Sequence, residues 1–113
     1  MQFIQENDWY KVVRITGPAH NLLGLEFART VGGPVVIEPL PVKDGQDCRI
    51  GADEVRLSVL AGVVEANQCL GSQYCVKRIQ FVPTDSPPAD IYRTLAKSIV
   101  ERLARGEAFA QSQ

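Results

Sequence analysis

The chain has 113 residues, 45% of them hydrophobic and 22% charged, which fits one globular core and excludes a disordered or fibrous chain. Lys and Arg number 12 against 13 Asp and Glu, for a net charge of −1, so the basic excess of a phosphate-dependent nucleic-acid binder is missing. No apolar run approaches the ~20 residues that span a bilayer, and Met1 to Asp8 lacks the basic start and apolar stretch of a secretory signal, so a cytoplasmic protein without membrane contact is expected.

Residues 1–8 read as a flexible end. Trp9 to Thr16, WYKVVRIT, is aromatic and β-branched and closes on Gly17-Pro18, which predicts a strand and a break. Leu22 to Ala28 puts Leu23, Leu25 and Phe27 on one face and Gly24 and Glu26 on the other, a half-buried strand. After Gly32-Gly33-Pro34, Val35 to Leu40 reads as a third strand, and the short connections predict an antiparallel meander. Pro39, Pro41 and Lys43-Asp44-Gly45 then make residues 40–50 either a small hairpin or a surface loop.

From Asp53 the period changes. Val55, Val59, Val63, Ala66 and Leu70 predict an amphipathic helix ending at Gly71, with Gly62 inside it where a close approach to the sheet would use a missing side chain. Tyr74 to Pro83 is a fourth strand, with Cys75, Ile79 and Phe81 on the inner face. Asp85 or Ser86 is placed to cap a second helix whose first turn holds Pro87 and Pro88. Ile91, Leu95, Ile99 and Leu103 form its stripe, and Lys97–Glu101 and Glu101–Arg105 are its four-residue ion pairs. Residues 107–113 read as a second flexible end.

The expected fold is therefore one α+β domain over 1–113. Its order is β-β-β-α-β-α, a mainly antiparallel sheet with both helices on one face, because each helix has one apolar stripe to bury. A ferredoxin-like arrangement is the alternative. The run Ala61-Gly62-Val63-Val64-Glu65-Ala66, the helix end Leu70-Gly71 and the strand Tyr74-Cys75-Val76-Lys77-Arg78-Ile79 resemble the helix-to-strand passage of the ribosomal protein S5 domain 2-like fold, as in the fourth domain of elongation factor G. The loop Val82 to Pro88 departs from that factor's Gly-aromatic-His arrangement, so the resemblance implies a fold and transfers no functional residue.

Few residues carry chemistry. His20, the one histidine, sits beside Asn21 in a loop, where an imidazole serves as a base, a ligand contact or simply a turn residue. Three cysteines, Cys48, Cys69 and Cys75, lack paired zinc spacing and fit reduced thiols. Only Cys48, next to Arg49, has the surroundings of a reactive thiol. Glu26 and Glu38 are expected on one exposed sheet face. With no metal cluster, nucleotide loop or cofactor motif, the sequence predicts a non-enzymatic protein-binding domain, of which a bacterial toxin-neutralising immunity protein is one form. Its binding face is expected on the uncovered side of the sheet, at Tyr10, Arg14, Glu26, Arg78 and Gln80, since aromatic and Arg residues anchor interfaces. An RNA- or ribosome-associated domain using Arg14, Lys77 and Arg78 is a second reading. A small-molecule domain or enzyme using His20, Asn21, Cys48 and Asp85 is a third. An uncovered sheet face also leaves a homodimer open.

Overall fold

Glu6 faces Trp9 across a two-residue turn, Asn7-Asp8, in which Asn7 takes the left-handed conformation at φ 54°. Asn is among the few side chains that tolerate it, and tight hairpins need it. The turn joins β1 (Gln2–Glu6) to β2 (Trp9–Thr16), so much of the N-terminal stretch expected as a flexible end is a strand. β2 pairs antiparallel with β3 (Ala19–Ala28), which begins three residues before the predicted start. The computed structural model describes residues 1–17, 19–30 and 32–111.

The remaining elements are β4 (Val36–Pro39), α1 (Ala52–Leu70), β5 (Cys75–Phe81), α2 (Ile91–Ala104) and β6 (Ala110–Gln111). They complete a mixed six-stranded sheet in the order β4-β5-β3-β2-β1-β6 with two helices, the expected α+β class. β1, β2, β3 and β5 pair antiparallel, whereas β4 on β5 and β6 on β1 are parallel additions at the edges. The third predicted strand therefore does not extend a meander. Proline cannot donate to a ladder, and with Pro34, Pro39 and Pro41 in or beside it this short strand belongs at an edge. β5 takes the place beside β3, and α1 supplies the crossover that parallel pairing of β4 and β5 demands. Four strands precede the first helix, which is not the ferredoxin-like order.

Residues 40–50 form a loop. A turn closes on Gln46 N–H to Lys43 O at 3.2 Å, and buried Ile50 anchors the far end while the Arg49 and Ile50 amides both donate to Pro83 O. Cross-strand partners show how the faces divide. The rows Phe3–Val12–Leu23–Phe81 and Gln5–Tyr10–Leu25–Ile79 face the helices, and Ile4–Lys11–Gly24–Gln80–Glu38 faces away. Val55, Val59, Val63 and Ala66 of α1 and Leu95, Ile99 and Val100 of α2 join Val12, Leu23, Leu25 and Ile79 in one core. Both helices thus lie on one face of the sheet, as expected.

α1 ends as predicted, with Gly71 left-handed at φ 66° and its N–H bonded to Asn67 O. Gly62 meets α2 rather than the sheet: a Cβ there would overlap the backbone carbonyl oxygen of Arg93. Lys97 also reaches across, pairing with Glu65 of α1 at 3.3 Å beside an Arg93–Glu65 bond of 2.8 Å, while Arg105 keeps the expected pair with Glu101. These bonds hold the Glu65 carboxyl below its ordinary range. α2 starts at Ile91, after a cis Pro87-Pro88 bond, and Asp85 and Ser86 do not cap it. Their oxygens are used by β3.

Candidate functional site

The face of the sheet turned away from the helices is organised by one irregularity. Glu26 pairs with Arg78 and Phe27 with Val76, so two residues of β5 oppose one of β3 and Lys77 is the extra one. A bulge of this kind turns successive side chains to the same side. Lys77 Nζ and Arg78 Nε both reach the Glu26 carboxylate, at 3.3 Å and 3.0 Å, and Arg78 also bonds Glu38 at 3.3 Å. Glu26 and Glu38 do share this face, bridged by one guanidinium. The bulge also resets the alternation. Val76 is buried in the core, and Cys75 does not take the inner position expected for it.

Arg78 has a second partner. Its guanidinium lies 4.7 Å from the centre of the Trp9 ring, a cation–π stack. Trp9 lies along Gly24, where a Cβ would come within 3.4 Å of the indole, and is only 9% exposed although no helix covers it. The glycine leaves the floor on which the ring lies, and arginine forms its lid. Beside this cluster, at the strand ends, an open cleft of about 900 Å³ runs under the β3–β4 connection, lined by Tyr10, Glu26, Phe27, Arg29, Tyr74 and Arg78 among others.

The five residues expected on one binding face do not share it. Glu26, Arg78 and Gln80 face away from the helices, but Tyr10 pairs with Leu25 on the helix side and stacks against Phe27 and Phe109, with ring centres 6.1 and 5.1 Å away. Arg14 is also on the helix side, its guanidinium 3.5 Å from the Asn21 side-chain oxygen. Strand parity decides this: Trp9, Lys11, Val13 and Ile15 alternate with Tyr10, Val12 and Arg14, and Val12 is wholly buried. The aromatic residue that the outer face does hold is Trp9, which the sequence reading missed. Parity from Val12 would have found it.

Three of the four residues grouped as a ligand alternative come together. Asp85, only 2% exposed at its side chain, accepts the Leu22 N–H at 2.7 Å and the Tyr92 hydroxyl at 2.9 Å through Oδ2. Its Oδ1 lies 3.7 Å from His20 Nε2. Asn21 Nδ2 donates to Ser86 O at 2.8 Å, and the His20 and Ser86 backbones are cross-bonded through Ser86 Oγ and His20 O. Burial pushes the Asp85 carboxyl above its ordinary range, against the opposing pull of the Leu22 and Tyr92 donors and of His20. Burial raises the Tyr92 phenol too, helped by the adjacent carboxylate. In the sequence Tyr92 shows only as the neighbour of Ile91, one residue off the predicted stripe of the second helix.

Chemically this cluster is a staple. Every donor around Asp85 Oδ2 comes from the chain itself, and it ties the β5–α2 connection to β3 with all buried side-chain polar atoms paired among the described residues. The His20 side chain is 61% exposed and too far from Asp85 for a hydrogen bond, and among the described residues no thiol or hydroxyl is bonded to its ring. Cys48 lies exposed in the 40–50 loop, next to the Arg49 amide that bonds Pro83 O, and has no bond to this network among the described residues. Among the described residues no three His, Cys, Asp or Glu side chains are grouped to hold a metal, and no helix is long and apolar enough to cross a membrane. Compared with known proteins, the chain matches no family model, no curated protein and no solved structure.

Proposed function

We propose that this chain is a small protein-binding domain that meets its partner with the face of the sheet that neither helix covers. The Trp9–Arg78 stack carries the reading: the ring lies flat over Gly24 and holds the Arg78 guanidinium, the more exposed of the two, on a face that neither helix covers. Arg and Trp are among the residue types that most often anchor interfaces, and a guanidinium already ordered on an aromatic ring costs little to immobilise on binding. Around this anchor Lys77 and Arg78 are balanced by Glu26 and Glu38, which supports a partner of mixed polarity over a polyanion. Ile15, 70% exposed on the same face, adds an apolar contact at the far end of β2. A toxin-neutralising immunity role is the narrower form of this proposal, since such a protein needs a stable scaffold and one complementary face. The resemblance to the S5 domain 2-like fold enters only as a scaffold.

The test is affinity capture from host lysate with the wild-type chain, Arg78→Ala and Ile15→Asp, each checked for folding, with nuclease and salt controls. Arg56→Ala on the exposed side of α1 is the control variant. The expected result is one dominant protein retained by wild type and the control and lost from both face variants. Retention by both face variants would overturn the reading, and nuclease-sensitive recovery would replace it with RNA binding.

A further inference from the structure

Segment 107–111 lies along the edge of β1 as a bound peptide does. Ala110 and Gln111 pair parallel with Ile4 and Gln5, and four of the segment's five residues are exposed. The exception is Phe109. Its ring enters a slot on the helix side of the sheet, edge-on to Phe3 at 5.9 Å and to Tyr10 at 5.1 Å. Arg102 of α2 closes the slot, 4.4 Å from the Phe3 ring centre and 5.9 Å from that of Phe109, and its Nε donates to the Ala108 carbonyl at 2.7 Å. One main-chain ladder plus one side-chain pocket is how proteins recognise an added strand.

The segment holds this groove lightly. Among the described residues its ladder is two residues long, and its side-chain bonds, Arg102 to Glu107 at 3.4 Å and Gln111 to Gln5 at 3.0 Å, are exposed. Exposed pairs of this kind contribute little. Beside the slot, on the α2 side of Phe3, an open recess of about 170 Å³ is lined by Phe3, Ser98, Glu101, Arg102, Arg105 and Glu107. We infer that the β1 edge with its Phe3–Tyr10–Arg102 slot is a peptide-binding groove. It takes an extended partner segment, parallel to β1 and carrying an aromatic residue at the place of Phe109, after displacing the chain's own segment. The groove is on the opposite side of the sheet from Trp9 and stands or falls independently of the proposed binding face.

The test uses the full chain and a fluorescein-labelled peptide of sequence GEAFAQ, read by anisotropy. Phe109→Ala vacates the slot while keeping Phe3, Tyr10 and Arg102. It is expected to bind the peptide saturably, with wild type at least about tenfold weaker because its own segment reduces the competent fraction. The GEAAAQ peptide is expected not to bind. Should Phe109→Ala fail to fold, Ala110→Pro, an exposed position outside the slot, unseats the strand instead. No saturable binding by either folded variant overturns the inference and leaves segment 107–111 as ordinary packing. A wild-type dimer that Phe109→Ala dissolves would give the groove to a second copy and overturn the assignment to a partner.

Discussion

Replacing Gly62 by alanine should destabilise the fold, although helix propensity alone predicts the reverse. At an exposed interior helix position Gly→Ala gains about 1 kcal/mol. Gly62 is buried where α1 crosses α2, and an added Cβ would overlap the Arg93 carbonyl oxygen and come within 3.0 Å of its carbon and 3.2 Å of its Cα. Non-bonded carbons settle near ~3.5 Å or more, so the helices must separate. The atoms in the way are backbone, which cannot rotate aside as a side chain does. Separation would loosen the contacts of Val59, Val63, Leu95 and Ala96 in the same core. Overpacking of this kind costs typically ~1–3 kcal/mol, and backbone overlap belongs at the upper end, so a net loss of about 1–2 kcal/mol is expected after the propensity gain. Urea unfolding followed by circular dichroism reads it: with a slope near ~1–3 kcal/mol/M, the midpoint falls by about 1 M. Ala61→Gly, at the exposed neighbouring position, should lose about 1 kcal/mol from propensity. Opposite substitutions at adjacent positions should therefore both destabilise. A Gly62→Ala chain as stable as wild type, or more stable, would refute the close crossing.

Arg78→Ala should uncover the single tryptophan, so its emission maximum should shift to the red, with a stability loss of about 0.5–1 kcal/mol for the lost cation–π stack; an unchanged spectrum would mean that Arg78 does not shelter Trp9. Tyr92→Phe removes a buried hydroxyl from Asp85 and should cost about 1–3 kcal/mol in urea unfolding, and a loss under half of that would show Leu22 satisfying the carboxyl alone. Asp85 also makes a signed pH prediction. Its carboxyl is raised in the folded chain, so between its unfolded and folded pKa values the unfolded state is ionised while the folded state keeps its proton. Stability from this group is fully present below the unfolded value of 3.8 and is lost as pH rises through the folded value. Measured between about pH 2.5 and 6, the stability of wild type minus that of Asp85→Asn should fall with rising pH. A rising difference would show that the Leu22 and Tyr92 donors outweigh burial.

Much of the architecture was legible because burial writes its period into the chain. The stripe Val55–Val59–Val63–Ala66 and the alternation Leu23–Leu25 are the consequence of one face meeting a core, and Gly71 marks a left-handed helix end in any context. What escaped was set by partners distant in sequence. The role of Asp85 and Ser86 is an example: beside two prolines before a helix they look like caps, and the local signal is sound. The helix starts later, and the same oxygens accept the Leu22 and His20 amides, more than 60 residues away in sequence. A carboxylate satisfies whichever donors folding brings to it, and only the paired strands bring these. β1 was missed for a related reason: its outer neighbour is only the short β6, which comes from the far end of the chain, so QFIQE carries a weaker apolar signal than a strand flanked by two long ones.

The candidate site was half legible for a more local reason. Reading a strand by alternation assumes a period of two throughout, and a single extra residue inverts every assignment beyond it. In β5 that residue is Lys77. Counting back from Ile79 without the bulge puts Lys77 and Cys75 inside and Val76 outside, and a lysine on the inner face was the visible sign of a broken register. With the bulge, Val76 packs in the core, and Lys77 and Arg78 turn together onto Glu26. The same irregularity therefore keeps a lysine out of the core and concentrates two cations at one carboxylate. One of those cations has a second hydrogen bond to spend on Glu38 and a planar face to lay over Trp9. A regular β5 would bring Glu26 one cation on this face, since its neighbours would point to the other. The outer face is distinctive because the strand breaks its period, so the side chains around Trp9 are ordered by the fold itself.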